Sequence, residues 1–293
     1  MSRGLTPREN RKAWLYAVAI VLGLFACGGL AWLLTSGTLA GAERIYLPEE
    51  GQLVQDAAIG LDAITVDAAF DPDSRLLTAT QVMTVQNPSG QTLDSLMLRS
   101  YSGAYLSEET SPADTDELFA ACYGTAFSPG GLEVESAQLN GQDVAFIWQD
   151  EAHTVLVLPV QWEPRETLRV TLRYRVLIPQ CASRFGVSEG IYTLGNVFPT
   201  LALWQDGAWR DDPYVSIGDP FLSACANWTV RLTVPRGYAV AATAYAEPVV
   251  SGDTAAYTFT ARAVRDFALV LSDSLVSASG MAGDVLVVAC FFA

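Results

Sequence analysis

The chain has 293 residues, with 17 Lys and Arg against 32 Asp and Glu and a net charge of −15. That length holds one large domain or two ordinary ones with a real core. The acidity leaves no basic surface for a phosphate backbone, which excludes nucleic acid as a partner.

Four of the basic residues (Arg3, Arg8, Arg11 and Lys12) sit in the first twelve positions, and the run Ala13–Leu34 that follows carries no charge. Such a run is long enough to cross a hydrocarbon core of about 30 Å. A basic flank stays on the cytoplasmic side. The expectation is a basic cytoplasmic segment (1–12) and one transmembrane helix (13–34) in the cell membrane, with the body of a single-pass protein extracellular. A cleaved signal peptide is the competing reading, but its apolar region is usually shorter. The tetrapeptide ending at Cys27 has the outline of a lipoprotein cleavage box, into which Phe25 fits poorly.

Residues 35–60 read as a linker of small residues with a weak lead-in, and residues 61–275 as sheet almost throughout. In the stretch around Leu168–Val176, the residues Leu168, Val170, Leu172, Tyr174 and Val176 fall on one face and Arg169, Thr171, Arg173 and Arg175 on the other. That is the period of a half-buried strand. Asn87-Pro88-Ser89-Gly90 and Ser251-Gly252-Asp253 mark turns, and Asn140-Gly141 is the strongest short hairpin signal. One helix is expected in the stretch from Ser111 to Tyr123, capped by Ser111 or Asp114, with Leu118, Phe119 and Cys122 as its apolar side. Many short strands at this spacing imply an all-β fold, a sandwich or a large curved antiparallel sheet.

Four cysteines lie outside the apolar run: Cys122, Cys181, Cys225 and Cys290. They allow three full pairings. A Cys181–Cys225 disulfide would staple the aromatic stretch between them, and four free buried thiols fit the sequence equally well. His153 is the only histidine. It opens an apolar segment and has no second histidine to share a metal with, so it reads as a structural residue. Phosphate-binding glycine motifs and C-x-x-C pairs are absent from the sequence. Adjacent acids such as Asp211-Asp212 read as solvated charge rather than a glycosidase pair, and Asn227-Trp228-Thr229 matches a glycosylation acceptor.

The stretch Tyr192–Tyr214 has neither the alternation of a strand nor the polarity of a loop. It crowds tryptophans, tyrosines, prolines and acids together. Here a resemblance enters. Phe127–Gly141, Arg184–Gly186, Leu194–Tyr214, Ile217–Phe221 and Trp228–Thr243 together resemble, in order and spacing, the N-terminal domain of the membrane alanyl aminopeptidase family of zinc metallopeptidases, in its membrane-anchored bacterial form. The resemblance implies a saddle-like antiparallel β-sandwich and zinc in a following, helix-rich catalytic domain. It also implies that residues 276–293 begin the link to that missing domain, the chain being truncated before it. The family's zinc site needs His-Glu-x-x-His and a downstream Glu. One histidine cannot supply it, so no cofactor is expected in this chain.

In the family, the segment matching Leu194–Pro199 holds a polar residue that helps bind the free amino terminus of a peptide, and by position it corresponds to Asn196. An amide oxygen accepts a hydrogen bond from an ammonium group but brings no charge. Asn196 closing a strand end is the alternative. The leading functional expectation is thus a non-catalytic domain, inactive alone, that packs against the catalytic domain and meets peptide only in the full-length enzyme. A stand-alone membrane-tethered β-sandwich binding peptide, carbohydrate or protein is the second reading. A carboxylate-based hydrolase is the third.

Overall fold

Alternating apolar and polar residues drive most of what forms. The computed structural model describes residues 57–215, 220–283 and 285–292. The strands, in chain order, begin with β1 (Ala63–Asp71), β2 (Leu76–Gln86) and β3 (Leu93–Arg99). A 3-10 turn (Tyr101–Tyr105) and the helix α1 (Asp116–Tyr123) follow. Next come β4 (Gly131–Leu139), β5 (Gln142–Asp143), β6 (Ile147–Trp148), β7 (Val155–Trp162) and β8 (Thr167–Leu177). After β9 (Phe185–Ser188), the aromatic stretch runs from within β10 (Ile191–Leu194) through β11 (Thr200–Leu201) and β12 (Trp204–Gln205) to just beyond β13 (Ala208–Trp209). The last elements are β14 (Ala226–Pro235), β15 (Ala239–Ala242), β16 (Val249–Ser251), β17 (Thr254–Val264), β18 (Leu269–Ser272), β19 (Leu275–Ala282) and β20 (Val285–Phe292).

Eight strands form the main sheet in the order β16-β17-β14-β1-β2-β8-β4-β5. β8 behaves as its pattern requires: Leu168, Val170, Leu172, Tyr174 and Val176 are buried, while Arg169, Arg173 and Arg175 face solvent. The buried face shares one apolar core with two four-stranded sheets, β15-β18-β10-β9 and β11-β3-β7-β6. Leu77 and Trp228 from the first sheet, Leu269 from the second and Trp162 from the third all belong to it. The molecule is therefore mostly β with antiparallel sheets packed on each other. One pair departs from the expected antiparallel order: β1 and β14 run parallel, Val66 opposite Val230. A parallel pair needs a long crossover, and everything between β2 and β14 serves as one.

The turn chemistry follows the residues that permit positive φ. Asn140 and Gly141 adopt φ 51° and 82° and close the β4–β5 hairpin, as a primed turn requires. Asn87 holds its turn by donating from its side-chain amide to the carbonyls of Gln91, Trp162 and Glu163 at 3.0, 2.8 and 3.0 Å. Its Oδ1 accepts from the Ser89 amide.

The helix starts later than expected. Thr115, not Ser111 or Asp114, is the cap, its hydroxyl accepting from the Leu118 amide at 3.2 Å. Asp116 and Glu117 then fall in the first turn, where the helix dipole favours them. Ser111 instead lies against the Tyr123 hydroxyl at 3.1 Å. No residue of α1 is buried. Among the described residues no helix is long and apolar enough to cross a membrane. The expected span at Ala13–Leu34 and most of the 35–60 linker lie outside them.

Candidate functional site: the Tyr192–Tyr214 crossover

The crossover carries the chain from one four-stranded sheet to the other. Tyr192 to Leu194 pair with Leu271 to Leu269 of β18. Gly195 then donates to the Arg184 carbonyl at 2.8 Å, and Asn196 turns the chain with φ 52°, a conformation asparagine tolerates better than most residues. Val197 and Phe198 drop into the core. The Pro199 carbonyl accepts a hydrogen bond at 2.7 Å from Nε2 of Gln81, a fully buried residue of β2 whose Oε1 accepts from the Tyr174 hydroxyl at 2.8 Å. Thr200 and Leu201 join β3 opposite Arg99 and Leu98.

Beyond that point the stretch becomes a hairpin. Asp206 and Gly207 (φ 54° and 82°) turn β12 back onto β13. The Trp204 and Trp209 rings meet edge to face at 5.1 Å, and Trp209 donates from Nε1 to the Ser95 carbonyl at 3.3 Å. Arg210 holds Asp212 in a two-pronged ion pair at 2.6 and 2.8 Å. That contact holds the Asp212 carboxyl below its ordinary value. The Asp212 carbonyl accepts from Arg99 at 2.7 Å.

Tyr101, Tyr105, Tyr214, Phe185 and Phe221 form a ring cluster beside the crossover, with centroid separations from 4.8 to 6.5 Å. Two guanidinium groups face it. Arg184 lies 4.6 Å from the Phe221 ring and Arg99 5.0 Å from the Tyr101 ring, the geometry of cation–π contacts. Burial, followed by the charge of Tyr214, raises the Tyr105 hydroxyl above its ordinary value, so it stays a neutral hydrogen-bonding group.

Asn196 is half-buried. Its backbone amide donates to Oδ2 of Asp266 at 2.9 Å, and its side-chain amide has no partner among the described residues. Burial raises the Asp266 carboxyl, with the Asn196 and Phe267 amides pulling the other way, and its Oδ1 is buried without a partner. The sequence reading missed Asp266 and Arg99. An acid directly before an apolar strand and a lone arginine inside one were the available signals. Trp204, Trp209 and Tyr214 are half-buried, so the crossover is neither wholly core nor wholly surface.

The remaining candidates lie elsewhere. His153 adopts φ 52° and stacks on Trp148 with centroids 4.8 Å apart and planes 2° apart. It lines a cleft of about 490 Å³ with Leu106, Pro129 and Arg175. The one carboxylate lining that cleft, Glu133, is engaged by Arg175 at 2.8 Å. This donor set does not fit a catalytic zinc, which needs three protein ligands. No cluster of metal-ligating side chains occurs among the described residues. Cys181 and Cys225 carry free thiols and are not brought together. Cys225 lines a small cavity with Ile64, Val85 and Trp228, whereas Cys181 lies against Cys122. Asn227, within the acceptor sequence, donates to the Ala58 carbonyl at 2.9 Å from inside β14.

Among solved structures, the M1 zinc metallopeptidase of Deinococcus radiodurans matches over 78% of this chain and 46% of its own, at 18% identity and a TM-score of 0.42. An aminopeptidase N family protein of Idiomarina loihiensis matches over 78% of this chain and 32% of its own, at 15% identity and a TM-score of 0.41. Yeast LTA4 hydrolase matches over 74% of this chain and 29% of its own, at 11% identity and a TM-score of 0.41. The chain spans less than half the length of each. No family model and no curated protein matches its sequence.

Proposed function

We propose that this chain is the non-catalytic N-terminal domain of a membrane-anchored zinc aminopeptidase, a saddle-like β domain that packs against a catalytic domain and is inactive alone. The basic start and the Ala13–Leu34 run support an anchor with the body outside the cell. The motif order between Phe127 and Thr243 supports the family. Zinc and its ligands belong to the partner domain, because the donors here are too few.

The observation that carries this reading is the β19–β20 hairpin. Its strands pair with each other from Leu275–Phe292 to Ala282–Val285. Met281, Val285, Leu286, Val287, Phe291 and Phe292 are all exposed on it. A cleft of about 450 Å³ opens between this hairpin and the Tyr245 loop. A long apolar two-stranded ribbon with open faces and edges invites a covering surface. The catalytic domain is the occupant we assign. In the assembled enzyme, Asn196 would offer its free amide oxygen to the peptide's ammonium group, with the Asp266 carboxylate behind it.

Hydrogen exchange with and without the zinc-loaded catalytic domain of a close relative tests this. Protection of residues 275–292 and of 192–214 is expected, together with no aminoacyl-anilide hydrolysis by the chain alone. A hairpin that exchanges equally fast in the mixture, at concentrations where each component is folded, refutes the packing role.

A further inference from the structure

Cys122 and Cys181 are distant in sequence and adjacent in the fold. The Ala182 amide donates to the Cys122 carbonyl at 2.8 Å, which ties the last turn of α1 to the connection between β8 and β9. Cys181 is itself fixed, its amide donating to the Val187 carbonyl at 3.1 Å. A side chain at Gly186 would collide with the Cys181 carbonyl. Cys181 is buried within the main core and Cys122 packs against that core half-exposed. The Cys122 thiol and the Tyr123 hydroxyl lie close enough to the Cys181 thiol to shift its ionisation. Both thiols are free.

The helix that carries Cys122 has little else to hold it. Isolated helices shorter than about 12–15 residues are marginal in water, and α1 has eight residues, none buried. Its other ties are the Thr115 cap, the Ser111–Tyr123 contact, the packing of Tyr123 on the core and the tilted row Phe119–Tyr123–Phe127, with centroids 5.3 and 5.0 Å apart.

We propose that Cys122 and Cys181 are a disulfide pair, closed by thiol–disulfide exchange as the domain folds in an oxidising compartment, and that the bond fastens α1 to the sheet. The Cys122 thiolate attacks one sulfur of a small disulfide such as oxidised glutathione and expels one thiolate. Cys181 then loses its proton and attacks the Cys122 sulfur of the mixed disulfide, expelling the second. The two cysteines lose two electrons and two protons, and the oxidant becomes two thiols. Burial pushes the Cys181 thiol up to about 12, so its thiolate is scarce at neutral pH in the folded domain. Closure therefore belongs to folding rather than to the finished domain, and the buried bond is afterwards shielded from reductant. This inference goes beyond the proposed aminopeptidase role and stands on the local geometry.

The test is to refold the full chain in detergent with a glutathione redox buffer, alkylate the remaining thiols and digest with trypsin. Cleavage after arginine leaves Cys122 in residues 100–165 and Cys181 in residues 176–184. These two peptides should appear joined. Adding a reductant should lower Tm by on the order of 5–10 °C, from the loop-closure entropy of a long loop in a domain this size. Cys122→Ser, a half-exposed site, should abolish both the joined peptide and the reductant effect, while Cys225→Ser should keep both. Recovery of Cys122 and Cys181 fully alkylated, or of residues 176–184 joined to 211–231, overturns the pairing. A joined peptide whose reduction leaves Tm unchanged overturns the fastening role.

Discussion

Replacing Gln81 with leucine tests how the crossover is held to the sheet beneath it. Gln81 is fully buried, donates to the Pro199 carbonyl at 2.7 Å and accepts from the Tyr174 hydroxyl at 2.8 Å. Leucine has similar bulk, so the loss is of hydrogen bonds rather than of packing. Each buried partner left without a bond costs roughly 1–3 kcal/mol, which gives an expected loss of about 2–5 kcal/mol for the variant. At roughly 2–4 °C per kcal/mol for a domain of this size, Tm should fall by about 5–15 °C. Thermal unfolding followed by near-ultraviolet circular dichroism reads this directly. The double variant Gln81→Leu with Tyr174→Phe removes one of the two orphaned groups and should recover about 1–2 kcal/mol relative to Gln81→Leu. A single variant within about 0.5 kcal/mol of the parent would falsify the reasoning. So would a double variant no more stable than Gln81→Leu.

Three further outcomes follow from the same structure. Gly103→Ala should destabilise by at least 2–3 kcal/mol, on the order of a severe overpacking change, because its new methyl would run into the backbone carbonyls of His153 and Ala152; Gly141→Ala, with open space around it but φ 82°, should cost only about 1 kcal/mol, and equal urea midpoints for the two would contradict the steric account. Asp266 has its folded-state pKa raised by burial, so the folded state binds its proton more tightly and this group's contribution to stability falls as pH rises from the ordinary carboxylate value through the raised one. Asp266→Asn should therefore flatten that part of the Tm-against-pH curve and gain relative to the parent toward neutral pH; a variant with the parent's slope refutes the assignment. Arg231→Ala should change stability by less than about 1 kcal/mol, since its pair with Asp67 at 3.1 Å is solvent-exposed on both sides, and a larger urea-midpoint shift would mean that the outer sheet face is covered by something.

The legible parts of the fold were those where one residue dictates one geometry. β8 alternates without exception, and Asn140-Gly141 admits little besides a primed turn. Asp206-Gly207 carries the same turn chemistry, yet the strands it joins are two residues long, too short to show a period. Glu189 and Gly190 close β9 onto β10 in the same conformation, with a glutamate where asparagine or aspartate is usual. The parallel pairing of β1 with β14 left no local trace, because alternation records which face is buried and not which way the neighbour runs. The position of Cys181 against Cys122 was equally hidden. Sequence proximity to the aromatic stretch pointed toward Cys225, whereas the contact depends on where α1 lands after a long excursion from the main sheet.

For the candidate site, the sequence marked the segment and the resemblance marked Asn196. The charged groups behind it emerged only in three dimensions. Among the described residues, the buried side-chain nitrogen and oxygen atoms without a partner belong to Arg99 and Asp266. Both residues touch the crossover. Asp266 accepts from the Asn196 amide at its start, and Arg99 donates to the Asp212 carbonyl near its end. A buried polar atom without a partner carries its full desolvation cost, and folded proteins keep few of them. A segment that only had to join two sheets would gain stability by replacing either residue with an apolar one. Retaining a carboxylate at one end and a guanidinium at the other is a local inconsistency of the kind that functional sites tolerate.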